Sequence, residues 1–106
     1  MNPKNNQAFR AQLVTKGRKS GNEHMVWLLA VMYEDKIYFS RHKPNGDWFK
    51  NAIKNPEVKV LYDDCSFLGT AKIVNDEMLV KKISELKYPG EKRSLEKRVV
   101  LEITLI

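Results

Sequence analysis

Two acidic dipeptides restrict the fold of this chain more than any other feature of its sequence. Glu34-Asp35 separates the apolar segment Glu23 to Tyr33 from the alternating segment Lys36 to Ser40, and Asp63-Asp64 ends the alternating segment Val58 to Tyr62. Aspartate favours tight turns, and only antiparallel strands can be joined by so short a connection. The dipeptides therefore predict two β-hairpins and exclude a parallel, doubly wound sheet, whose strands are joined by helical crossovers.

Alternating apolar residues predict three more strand segments, at Phe9 to Thr15, Ser66 to Val74 and Val99 to Leu105. The nearly continuous apolar character of Glu23 to Tyr33 is typical of a strand buried on both faces, which places Trp27 in the core or at a subunit interface. Strands joined by hairpins, with only short helices between them, predict a mainly β chain folded as an antiparallel barrel. A barrel of this size fills its own interior, so a large ligand is expected on an outer groove or at an interface with a second copy.

Two short helices are predicted between the strands. The first is capped by Asp47 and ends before Pro56, and the second is capped by Asp76 and stops at Tyr88. The residues expected to face the barrel are Trp48, Ala52 and Ile53 in the first helix and Leu79, Ile83 and Leu86 in the second.

The composition is that of one globular domain over residues 1–106, with 42% hydrophobic and 30% charged residues. The longest uncharged apolar run, Met25 to Tyr33, is too short to span a bilayer, and the polar start lacks a signal peptide's apolar segment. We therefore expect a cytoplasmic protein with no membrane partner. Cys65, His24 and His42 supply too few soft ligands for a metal site, and a single cysteine makes no internal disulfide.

A formal net charge of +6 makes the chain attractive to polyanions, which include nucleic acid, anionic lipid and phosphorylated small molecules. The net charge alone does not distinguish between these three kinds of partner. A nucleic-acid-binding barrel would need exposed aromatic side chains among its lysines, and Tyr33, Tyr38 and Phe39 are the candidates. Their strands have the alternation of buried segments, so nucleic acid is not the expected partner.

A basic, glycine-bounded loop, Lys16-Gly17-Arg18-Lys19-Ser20-Gly21, lies between the first two strands. Flanking glycines let backbone N–H groups approach an anion, while Arg18 and Lys19 add charge and Ser20 a hydroxyl. These are the components of a phosphate clamp. A solvated hairpin turn has the same composition, so the residues alone leave both interpretations open.

Three further segments are candidates for binding. Ser40-Arg41-His42-Lys43 follows a strand and precedes a helix start, which favours anions or electron-rich heteroatoms, although an ordinary exposed loop has this sequence too. Trp48 and Asn51 lie on the short helix, where the tryptophan either borders a planar ligand or anchors the core. Tyr88 either walls a pocket or fastens the end of the second helix. We identify no catalytic acid, base or nucleophile.

In their order along the chain, these segments resemble the deazaflavin-dependent nitroreductase family. The resemblance lies in Thr15 to Gly21, Tyr38 to Arg41, Trp48 to Val60 and Ala71 to Asp76. The family belongs to the split β-barrel superfamily, which also contains proteins similar to pyridoxamine-phosphate oxidase. The resemblance implies an FMN-binding type of split barrel, a homodimer, and hydride transfer from a reduced ring cofactor to a bound acceptor.

The resemblance also implies how the cofactor is held. The phosphate of coenzyme F420 would lie in the glycine-bounded loop with Arg18 and Lys19 as charge partners, and the deazaflavin ring would lie near Ser40, Arg41 and Trp48. FMN is the alternative cofactor, and a chain that binds a cofactor without catalysis is a third possibility. The cofactor-binding set is Lys16, Gly17, Arg18, Lys19, Ser20, Gly21, Ser40, Arg41, Lys43, Trp48 and Asn51, with Tyr88 toward the substrate.

Overall fold

The computed structural model describes residues 6–17, 21–41, 47–90 and 99–106, and these form six strands and two helices. The strands close into an antiparallel barrel in the order β1-β2-β3-β6-β5-β4, which confirms the predicted fold class. The elements are β1 (Gln7–Lys16), β2 (Glu23–Tyr33), β3 (Lys36–Arg41), α1 (Asp47–Lys54), β4 (Glu57–Tyr62), β5 (Cys65–Ile73), α2 (Glu77–Lys87) and β6 (Val99–Leu105).

Both acidic dipeptides form the predicted hairpin turns. Glu34 and Asp35 have φ angles of 49° and 64°, and Asp63 and Asp64 have φ angles of 50° and 62°. Two successive residues with positive φ match the right-handed twist of the flanking strands, as in a type I′ turn. Register follows from the turns, because Tyr33 pairs with Lys36 at one hairpin.

The barrel interior is filled by apolar side chains from all six strands, together with residues of α1. In β1 the alternation that the sequence shows is observed, with Ala11 and Leu13 fully buried and Arg10 exposed. The absence of a side chain at Gly69 leaves room for a side chain of β6, because a Cβ atom at Gly69 would lie 2.5 Å from Ile103 Cγ2. The buried cluster comprises Ala11, Leu13, Ala30, Met32, Ile37, Phe39, Trp48, Phe49, Ala52, Val58, Val60, Ala71, Leu101 and Ile103.

The prediction that β2 is buried on both faces is wrong for the first half of the strand. Met25 is 62% exposed and Trp27 is 59% exposed, which also excludes Trp27 from the core. Successive side chains point to opposite faces of the barrel wall, and α2 covers the outer face only farther along, where Ile83 packs with Val31. Burial on both sides is therefore confined to residues 30–32.

The helices follow their predicted limits and differ from the prediction at one apolar residue. Asp76 caps α2 as predicted, since its Oδ1 accepts hydrogen bonds from the backbone N–H groups of Met78 and Leu79 at 3.0 and 3.3 Å. In α1, Phe49 is buried while Ile53 is 44% exposed, so Ile53 does not face the barrel. The helix packs on the side that carries Trp48, Phe49 and Ala52.

Candidate functional site

The strand order brings several predicted binding segments to one end of the barrel. Lys16 at the end of β1 pairs with Glu23 at the start of β2, and Arg41 at the end of β3 pairs with Val99 at the start of β6. Since β2 runs antiparallel to both β1 and β3, the ends of β1 and β3 lie at the same end of the barrel. The glycine-bounded loop and the segment after Ser40 therefore leave from this end.

The loop after β1 begins and ends with hydrogen bonds inside the turn. The N–H of Gly17 donates to the carbonyl of Asn22 at 2.8 Å, and the N–H of Gly21 donates to the carbonyl of Gly17 at 3.1 Å. Gly21 has a φ of 71°, a conformation that favours glycine. The N–H groups of both flanking glycines are thus used to close the turn.

Five of the predicted binding residues are not described structurally at their side chains. Arg18, Lys19, Ser20 and Lys43 lie outside the described residues, and Arg41 is described at its backbone. Their assignment to the cofactor stays a prediction.

Asn55, directly after α1, connects the helix to the glycine-bounded loop. Its Nδ2 donates to the carbonyl oxygens of Lys16 at 3.3 Å and Gly17 at 3.5 Å. Because α1 follows β3 in the chain, these contacts join the segment after β3 to the loop after β1. Asn55 is not among the predicted binding residues, although its place before Pro56 at a predicted helix end was a signal for a polar contact.

Ser40 and Tyr88 are brought together by a lysine that the sequence analysis did not select. Lys87 Nζ donates to the carbonyl oxygen of Ser40 at 3.1 Å and to its Oγ at 2.9 Å. The same Nζ lies 5.4 Å from the centre of the Tyr88 ring, within reach of a cation–π interaction. A positive charge therefore lies between one residue predicted to bind cofactor and one predicted to bind substrate.

Trp48 and Asn51 are both buried, at 7% and 6% exposure. The ring of Trp48 meets Phe39 and Phe49 edge-on, with ring centres 6.3 and 5.8 Å apart. This packing and the burial of the side chain match the core-anchor alternative. Its Nε1, however, is buried without a hydrogen-bond partner, and the same is true of Thr15 Oγ1 at the end of β1.

These unpaired atoms bear on whether the residues fit a ring cofactor. A buried donor without an acceptor costs about 1–3 kcal/mol, and a ligand that supplies an acceptor removes that cost. Thr15 directly precedes Lys16 of the glycine-bounded loop. Trp48 is the second residue of α1, and Asn55, which follows that helix, donates a hydrogen bond to the same loop. The donor chemistry at this end of the barrel fits a cofactor with phosphate and carbonyl oxygens.

Elsewhere the described residues hold other polar features. Tyr38 donates its hydroxyl to Glu102 at 2.9 Å, and burial together with that hydrogen bond raises the pKa of the Tyr38 phenol. Tyr38 and Phe39 are almost fully buried and so present no stacking surface for nucleic acid. Within the described part of the chain, no group of three potential metal ligands occurs, and no helix is long and apolar enough to cross a membrane.

No protein-family model matches this sequence, and no curated protein matches it. Solved structures do match in fold. An F420-H2 dependent reductase superposes with a TM-score of 0.71 at 20% identity, over 98% of this chain and 99% of that one. A protein described as a domain-swapped dimer gives a TM-score of 0.73 at 20% identity, over 98% of this chain and 84% of that one.

A third similar structure comes from Clostridium acetobutylicum and is described as related to general stress protein 26, of the pyridoxinephosphate oxidase family. Its TM-score is 0.64 at 17% identity, over 91% of this chain and 74% of that one. Sequence identities of 17 to 20% establish a shared fold and do not establish a shared activity. The chain has the split-barrel fold that F420-H2 dependent reductases share with proteins of the pyridoxinephosphate oxidase family.

Proposed function

We propose that this protein is a cytoplasmic oxidoreductase that binds a flavin-type ring cofactor and transfers hydride between reduced F420 and a small-molecule acceptor. The observation that carries the proposal is that three segments lie at one end of the barrel. They are the glycine-bounded loop, the segment after Ser40 and helix α1. Asn55, at the end of α1, donates a hydrogen bond to the carbonyl oxygen of Gly17. Two buried donors without a partner belong to the same segments: Thr15 Oγ1 lies two residues before Gly17, and Trp48 Nε1 lies on α1. FMN is the alternative cofactor, since its phosphate and ring carbonyls offer the same acceptors.

The chain's own part in this reaction is to bind and orient. Arg18 and Lys19 would pair with the cofactor phosphate, and Asn55 donates to the backbone at the start of their loop. Lys87 holds Ser40 in place and supplies a positive charge beside Tyr88. When bound, the ring cofactor itself supplies the hydride chemistry, so the protein needs no nucleophile or general acid for that step.

A titration of the purified protein with reduced F420 and with FMN, followed by visible absorbance, tests the cofactor assignment. Binding in the micromolar range supports the proposal, and the tighter of the two identifies the cofactor. A protein that binds neither is not the oxidoreductase described here.

The phosphate assignment is tested by replacing Arg18 and Lys19 with alanine. Each charge-assisted contact contributes about 1.5–3 kcal/mol, so the double variant is expected to bind FMN at least about 100-fold more weakly. Riboflavin, which lacks the phosphate, should bind both proteins alike. The matched control is Lys81→Ala with Lys82→Ala, which removes the same charge from exposed positions of α2. Equal losses of FMN and riboflavin affinity would contradict a phosphate clamp.

We also propose that two copies associate through the outer apolar face of β1, β2, β4 and β5. This face consists of Met25, Trp27 and Leu68, each more than half exposed, with Val14 and Leu61 between them. Large apolar side chains exposed on the same face of a protein commonly mark an interface. The similar structure described as a domain-swapped dimer is consistent with self-association in proteins of this fold.

The charges around the outer apolar face favour a second copy over a polyanion. The chain carries a net charge of +6, yet Lys59 on this face is paired with Glu23 at 3.2 Å. At the other end of the face, Arg10 lies over the Trp27 ring. Asp63 and Asp64 line the same surface cavity as these two residues. Both signs of charge are present at the face, so two basic molecules can approach there without strong repulsion.

A further inference from the structure

A cavity of about 700 Å³ opens on the outer apolar face, at the end of the barrel away from the glycine-bounded loop. Strand β1 ends at that loop, whereas the turn of Asp63 and Asp64 follows β4, which runs antiparallel to β1. The turn and the loop therefore lie at opposite ends of the barrel. The lining of the cavity includes two side chains of the outer apolar face and three charged side chains, which are Trp27, Leu61, Arg10, Asp63 and Asp64.

The three charged side chains of this cavity are exposed, and no ion pair joins them to one another. Arg10 contacts the ring of Trp27 instead, with its guanidinium carbon 5.9 Å from the ring centre. At the other end of the face Lys59 is paired with Glu23 at 3.2 Å. Among the described residues, the charges around Trp27 that lack an opposite partner are thus one guanidinium and two carboxylates.

Closing the outer apolar face against another protein would remove these charges from water. A buried charge is costly unless an opposite charge contacts it. Each Arg10 then needs a carboxylate, and the turn of Asp63 and Asp64 needs a cation. A two-fold interface meets both needs with one kind of contact, because residue i of the first copy meets residue j of the second, and the reverse. A second copy of this chain is therefore complementary to the cavity.

We propose that Arg10 of each copy pairs with Asp63 and Asp64 of the other copy, across a two-fold axis at this cavity. This inference rests on the dimer proposed above, and it adds the symmetry of the dimer and the residues that select a second copy as the partner. The contact occurs twice in each dimer. Reversing the charge on one side of it therefore places like charges together at two positions.

Two charge-reversed variants test the pairing by mixing. Arg10→Glu leaves carboxylates on both sides of the contact, and Asp63→Lys with Asp64→Lys leaves cations on both sides. Like charges in contact oppose association, so each variant alone should dimerise at least about 100-fold more weakly than the wild type. A mixed dimer has opposite charges at both contacts, so an equimolar mixture should dimerise within about tenfold of the wild type. Sedimentation velocity over a concentration series measures the dissociation constants, and native mass spectrometry identifies the mixed dimer.

The other acidic turn of the chain supplies the matched control. Glu34 and Asp35 also have positive φ angles, and Glu34 lines a different cavity. Glu34→Lys with Asp35→Lys makes the same change of charge in the same kind of turn and should leave the dimer intact. Because lysine is disfavoured at positive φ, Asp63→Asn with Asp64→Asn is a second variant that keeps the turn. It should weaken the dimer about tenfold through loss of the carboxylates.

The results separate the pairing from the dimer itself. A mixture that stays monomeric overturns the inference when both variants have the far-UV circular dichroism of the wild type, and so does an Arg10→Glu variant that dimerises like the wild type. If the double lysine variant does not fold, the asparagine variant decides, and its unchanged dimerisation overturns the inference. In each of these cases a dimeric wild type leaves the proposed interface standing. A monomeric wild type overturns the interface and the inference together.

Discussion

The buried hydroxyl of Tyr38 links the stability of the barrel to pH. Its hydroxyl donates to Glu102, which also accepts from Lys36 Nζ at 3.3 Å. Burial first, and then the hydrogen bond and the negative charge of Glu102, raise the pKa of the Tyr38 phenol in the folded protein. The unfolded chain has an ordinary tyrosine, which loses its proton near pH 10.

This difference in pKa predicts a loss of stability at alkaline pH. Above about pH 10 the unfolded chain releases the Tyr38 proton while the folded protein keeps it, so the free energy of unfolding falls as pH rises. Tyr38→Phe should cost about 1 kcal/mol at pH 7 through the lost hydrogen bond, and should give a shallower decline between pH 10 and 11. Urea unfolding at several pH values measures both effects.

Tyr33→Phe is the control for this prediction, because it removes a neighbouring phenol whose ring centre lies 6.4 Å from that of Tyr38. Because the hydrogen bond from Tyr38 to Glu102 remains in this variant, its alkaline decline should be steeper than that of Tyr38→Phe. If Tyr38→Phe instead declines as steeply as the wild type, Tyr38 is not the group that couples stability to alkaline pH.

At the scale of secondary structure, Asn55 joins α1 to the glycine-bounded loop without being part of either. Replacing its amide by a carboxylate puts negative charge against the carbonyl oxygens of Lys16 and Gly17 and removes the donor. Asn55→Asp should therefore loosen the start of the loop and weaken FMN binding about fivefold to tenfold. Calorimetric titration with FMN measures the change.

The new charge could weaken phosphate binding on its own, and two comparisons separate this from loss of position. Asn75→Asp adds the same charge at an exposed residue between β5 and α2 and should have little effect. Salt at 0.5 M shortens the screening length to a few ångströms, so a purely electrostatic loss should largely disappear there. A loss of affinity that vanishes in salt would show that Asn55 does not position the loop.

Local patterns were sufficient to predict the secondary structure. The turns at Asp63 and Asp64 and the cap at Asp76 depend on residues close in sequence, and both were confirmed. The contacts of Asn55 and Lys87 were missed because they join residues 38 to 47 positions apart, and only barrel closure brings these together. The exposure of Trp27 was missed because apolar composition alone does not tell which stretch of a strand a helix will cover.

At the scale of the whole molecule, the outer apolar face predicts a dimer that a single charge can disrupt. Trp27 and Leu68 lie on β2 and β5, with β1 and β4 between them, so one substitution at either side places a charge inside the proposed interface. Desolvating an unpaired lysine and losing a tryptophan contact together cost at least about 3 kcal/mol, which is more than a 100-fold change in the dissociation constant.

Trp27→Lys and Leu68→Lys are each expected to be monomeric at concentrations where the wild type sediments as a dimer. Met78→Lys is the matched control, because Met78 is 84% exposed on α2, away from this face, and its replacement adds the same charge. Sedimentation velocity measures all four proteins. A monomeric wild type, or a dimer that survives both lysine substitutions on the face, would contradict the proposed interface. Cofactor titration of the Trp27→Lys monomer then shows whether one barrel binds the ring alone, because a site completed by the second copy would lose its affinity together with the dimer.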